Sequence, residues 1–77
     1  NSFAIFPNPA NDLLNIKLGQ NAVFNSYTIF DVSGKTVASG NISSPDMVVN
    51  ISVLTQGTYI IKLAGENSQA SKVILKK

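Results

Sequence analysis

Four acidic side chains, Asp12, Asp31, Asp46 and Glu66, are all the carboxylates this 77-residue chain can offer to chemistry, and it has no histidine and no cysteine. The commonest general base, the thiolate nucleophile and the usual zinc ligands are therefore missing. A carboxylate pair at glycosidase separation would be the remaining acid–base option. Each acid, however, falls in or beside a turn signal, where a carboxylate ordinarily accepts hydrogen bonds from backbone amides. Asn8, Asn11 and Asp12 in "NPAND" gather oxygen donors, but one carboxylate is thin for a calcium ion that takes about 6–8 oxygen ligands. Turn chemistry is the better reading. Asn41-Ile42-Ser43 and Asn50-Ile51-Ser52 match a glycosylation sequon too short to assign anything. No catalytic residue, no metal and no cofactor is expected.

The positive charge points nowhere in particular. Net charge is +2, carried by six lysines without a single arginine. Bidentate recognition of guanine or phosphate favours arginine, and the lysines cluster only at Lys76 and Lys77, so nucleic acid is not an expected partner. Runs such as "FAIF" are far short of the ~20 apolar residues of a membrane span. Absence of cysteine leaves the compartment open. The start, "NSFAIFPNPA", lacks an initiator Met and the basic and apolar regions of a signal peptide. It reads as a piece of something longer, and its length suits one domain of modest stability.

The elements that must position these residues are strands. Apolar residues recur with period two in short segments, and no window carries a helical period. The expected strands are Phe3–Phe6, Leu13–Leu18, Ser26–Val32, Lys35–Ser39, Met47–Ile51, Thr58–Leu63 and Ser71–Lys76. Each break has a chemical reason. Pro7 and Pro9 around Asn8 remove backbone donors and end the first strand. Asp31, Gly34 and Lys35 in "DVSGK" supply a turn-bracing carboxylate and a residue free to take positive φ. "NISSPD" is a longer connection and "AGENSQ" a Gly-bearing hairpin turn. Leu14, Ile16 and Leu18 share one face, as do Met47, Val49 and Ile51, and Tyr59, Ile61 and Leu63. Those nine form the expected core.

Leu54, Gly57 and Tyr59 make L-x-x-G-x-Y directly before a strand, the arrangement of a tyrosine corner in immunoglobulin-like sandwiches. Tyr59 reads as a structural clamp rather than a catalytic acid. The fold class is all-β, a small seven-stranded immunoglobulin-like β-sandwich. A glycan-binding sandwich would display several exposed aromatics, whereas this chain has no Trp and most of its Phe and Tyr fall on strands. Phe24 and Tyr27 are the ones whose placement the pattern leaves open.

Taken in order, "FAIFPNPANDLLNI", "YTIFDVSGKTV", "NISVLTQGTYIIKL" and the closing "SKVILKK" resemble the C-terminal sorting domain of the type IX secretion system. The resemblance spans essentially the whole chain; Phe6 stands where the family often has Tyr before Pro-Asn-Pro. It implies a sorting signal without catalysis, the tail of a larger secreted protein of a Gram-negative bacterium. The implied partners are a covalently fused cargo, the outer-membrane translocon and a surface sortase that removes the domain near or upstream of Asn1. The implied route runs through the periplasm to the cell surface or the medium.

By the family pattern Lys72, Val73, Ile74, Leu75, Lys76 and Lys77 form the terminal motif and are the expected recognition residues. Two readings of Val73 and Leu75 stand side by side: contact with a partner, or completion of the core. An edge strand offers unpaired backbone groups to a partner and would also allow a dimer. A glycan or adhesion module and a passive spacer are the alternative functions. A sorting signal should fail when its last residues are removed although the fold survives.

Overall fold

Period-two alternation becomes seven strands: β1 (Phe3–Phe6), β2 (Leu13–Leu18), β3 (Ser26–Asp31), β4 (Thr36–Asn41), β5 (Asp46–Asn50), β6 (Gly57–Ala64) and β7 (Gln69–Lys76). The computed structural model describes residues 3–19 and 23–77; Asn1, beside the expected cleavage point, lies outside them. The strands form two antiparallel sheets, β1-β2-β5 and β4-β3-β6-β7. This is the immunoglobulin-like sandwich expected.

The inward side chains of the two sheets make one core. Leu14, Ile16, Val49, Ile51, Tyr59, Ile61 and Leu63 are buried in it, while Leu18 and Met47 sit half-buried at its margin. The reason is position: Leu18 is the last residue of β2 and Met47 lies near the start of β5, at the same end of the three-stranded sheet. Ile5, Ala10, Phe24, Ile29, Ile42, Leu54 and Ile74 complete the core. Four of these, Ala10, Phe24, Ile42 and Leu54, lie outside the strands, and period-two reading has no grip there.

Several strand ends differ from the expected ones. β3 stops at Asp31 rather than Val32 because the Asp31 carbonyl already accepts the Gly34 amide of the turn. β4 runs to Asn41, held by pairing with Ser26, and β6 and β7 lengthen together to the Ala64–Gln69 pair. Gly65 closes their hairpin by donating to Ser68, at a point where any Cβ would strike the Val23 carbonyl.

After β1 the chain changes sheets. Phe6–Pro7 and Asn8–Pro9 are both cis peptide bonds. Ala10 then pairs in parallel with Lys76. Thus β1 belongs to the three-stranded sheet, and the segment directly after it lies along the edge of the other.

Candidate recognition site at the terminal strand

The two faces of β7 have different roles. Ile74 is fully buried opposite Tyr59, and Lys76, opposite Gly57, is 9% exposed. Its apolar stem follows the core while Nζ reaches the Lys77 carbonyl at 3.1 Å, the usual compromise of a lysine with a buried stem. Lys72 leans from the same face towards the other sheet, with Nζ 5.4 Å from the centroid of the Phe3 ring. Val73 and Leu75 point to solvent, 54% and 45% exposed.

Strand parity forces this split, since Ile74 can face inward only if its neighbours face out. The reading in which Val73 and Leu75 complete the core is corrected accordingly. Of the six terminal-motif residues, Ile74 is out of reach of any partner that meets the folded domain. Val73, Leu75 and Lys77 are the exposed members beside Lys72.

The outer edge of β7 is partly occupied by the Pro7–Ala10 segment. Asn8 Nδ2 donates to the Val73 carbonyl (3.1 Å), and its Oδ1 accepts from the Leu75 amide (3.0 Å). The Ala10 amide donates to the Leu75 carbonyl (2.7 Å), and the Lys77 amide donates to the Ala10 carbonyl (2.8 Å). Asn8 thus reads the backbone of the terminal strand with both ends of its amide. The sequence shows only a turn residue there, because nothing local reveals a partner 65 and 67 positions away. One expectation changes as a result. Removing Val73–Lys77 would delete buried Ile74 and every partner of the clamp, so the truncated chain should lose its fold as well as any signal.

The other motifs meet at the same pole of the sandwich. The Ile51 amide donates to the Asp12 carbonyl, fastening the "PNPAND" loop to the end of β5. Leu54 is buried below the following loop, and the Tyr59 hydroxyl donates to the Thr55 carbonyl at 2.7 Å, the reach-back of a tyrosine corner. Asp31 Oδ1 accepts from the Ser33 hydroxyl (2.6 Å), the Ser33 amide (2.9 Å) and the Lys35 amide (3.0 Å). The Ser33 hydroxyl first, and the Lys35 amide next, hold its carboxyl below the usual carboxylate range. Gly34 takes φ +89°, the left-handed conformation the turn requires.

A shallow groove of about 390 Å³ separates this turn from the loop before β6, and Val32 and Val53 stand exposed at its rims. Among the described residues no group of three His, Cys, Asp or Glu could hold a metal ion. Phe24 is buried edge-on against Phe3, centroids 5.9 Å apart, and Tyr27 is half-buried. Neither supplies an exposed stacking platform.

Fold and site define a small all-β module whose distant motifs converge on its terminal strand. Residues 4–77 match the family of secretion-system C-terminal sorting domains, and the chain belongs to that family. Its function is accordingly that of a C-terminal sorting signal for type IX secretion, leading to the cell surface or to release, in a family that is not one of enzymes. No curated protein matches the chain closely enough to count as a relative.

Proposed function

We propose that the domain carries a covalently fused cargo from the periplasm of a Gram-negative bacterium through the outer membrane. The translocon reads the solvent face of β7 and its exposed basic end, Val73, Leu75 and Lys77 with Lys72 alongside, while the Lys76 stem stays in the core. A surface sortase then removes the domain, which has no catalytic activity of its own. The observation that carries this reading is the terminal strand itself. It spends Ile74 on the core yet leaves two large apolar side chains in water on its other face. Isolated exposed apolar residues are ordinary, but these lie in the terminal stretch of the family match and are followed by two lysines.

The test is export of a fluorescent reporter fused to residues 1–77, in a host with and without a working type IX system. Surface delivery that requires the system, and that drops when the exposed Lys72 and Lys77 are both replaced by Glu in a domain that still folds, supports the reading. Delivery independent of the system contradicts it.

A further inference from the structure

The edge of β7 is sealed at one end and open at the other. Asn8 and Ala10 take the Val73 carbonyl, both backbone groups of Leu75 and the Lys77 amide. Alternate residues of an antiparallel strand point their backbone groups to the same side. The N–H and C=O of Ser71 and the N–H of Val73 therefore face that edge too, and among the described residues nothing takes them.

The charged strand side chains beside this open half are basic, and Glu66 in the β6–β7 turn stands beyond its Gln69 end. Lys62 pairs with Ser71 across the ladder and stands on the outer face, while Lys72 adjoins Ser71 on the inner face. Strands β1, β6 and β7 contain no acidic residue. On the outer face Phe30, Ile60 and Val73 are successive cross-strand partners, an apolar row that ends at the open edge.

Resting on the reading of the domain as a sorting signal, we propose that Gln69–Val73 is a strand-addition site for an acidic, extended segment of the export machinery. Backbone bonds to Ser71 and Val73 would hold the segment, acidic side chains on its two faces would meet Lys62 and Lys72, and an apolar one would cover Val73. The Asn8 clamp stops the added strand at Val73 and so fixes its register. A second copy of this chain fits less well. Antiparallel pairing of two β7 strands about Ser71 sets the two Lys72 residues diagonally on one face, like charges side by side.

The experiment combines export of the fused reporter with photo-crosslinking from position 71. Ser71→Pro removes the outward N–H at an edge position where proline is tolerated. It should leave the melting temperature near that of the unmodified domain and reduce export about tenfold, the effect of one or two lost backbone bonds. A crosslinker at position 71 should capture an outer-membrane component of the system. Wild-type export by folded Ser71→Pro, or crosslinks only to a second copy or to the cargo linker, would overturn the proposal. Should Ser71→Pro not fold, the Lys62→Glu/Lys72→Glu pair decides: export is expected to fall, and undiminished export counts against the site. If the unmodified fusion itself is not exported by the system, the underlying reading fails, and this one with it.

Discussion

The Asp31–Lys35 turn and the Pro7–Ala10 clamp are built from the same chemistry, a short polar side chain that bonds backbone groups, yet they differ in reach. Asp31 closes a loop on residues two and four positions ahead. Asn8 closes the whole chain on itself, tying the segment after β1 to the last residues of β7. A local turn shapes one hairpin and leaves the sandwich to the core. The long-range clamp decides which part of the terminal strand remains available to a partner. The difference teaches that β7 commits one side to stability and leaves the other free, the side on which the proposed recognition falls.

The largest effect should come from crossing to the inner side. Ile74→Ala removes a fully buried side chain and should cost about 2–5 kcal/mol, read as a large fall in melting temperature. Asn8→Ala deletes both side-chain bonds of the clamp. At roughly 0.5–1.5 kcal/mol per bond it should lower stability less than Ile74→Ala, while amide exchange at Leu75 rises selectively. If Asn8→Ala leaves Leu75 exchange unchanged, the clamp is not holding the strand.

On the local side, Gly34→Val forces a β-branched residue to φ +89° and should cost roughly 1–2 kcal/mol, destabilising the domain before it affects sorting specifically. Tyr59→Phe removes the bond to Thr55 and should cost roughly 0.5–1.5 kcal/mol; an unaltered melting curve would remove the corner's claim to a stabilising role. The smallest effect is that of pH on the turn. Asp31 titrates below its ordinary value when folded, so its contribution is complete above an unfolded pKa of about 3.9. That contribution is lost as pH falls through the lowered folded value. The stability difference between the unmodified domain and Asp31→Asn should therefore be constant near neutrality and shrink only in acid.

Much of this was legible in the sequence, and what was not has a common physical cause. Period-two alternation located all seven strands, because each strand has one face against the core and one in water. The spacing of Leu54, Gly57 and Tyr59 indicated the corner, since its bond spans only four residues. Val32 has the apolar character of a strand residue, whereas the Asp31 hydrogen bonds place it in the turn. Buried Ala10 and the two-ended use of Asn8 were not legible, for they depend on a strand that comes more than sixty residues later. The orientation of the terminal motif was left open for the same reason. Alternation within "KVIL" is weak because Val73, Ile74 and Leu75 are all apolar, and only pairing with β6 fixes the parity.

The most direct test of the central claim, that the inner face of β7 holds the fold while its outer face is read, is a paired measurement on Leu75→Ser. Melting temperature and type IX-dependent export of the fused reporter are taken on the same protein. Melting near that of the unmodified domain together with a marked loss of export is the predicted result. Full export from a domain with its outward leucine gone would contradict the account and return recognition to another surface.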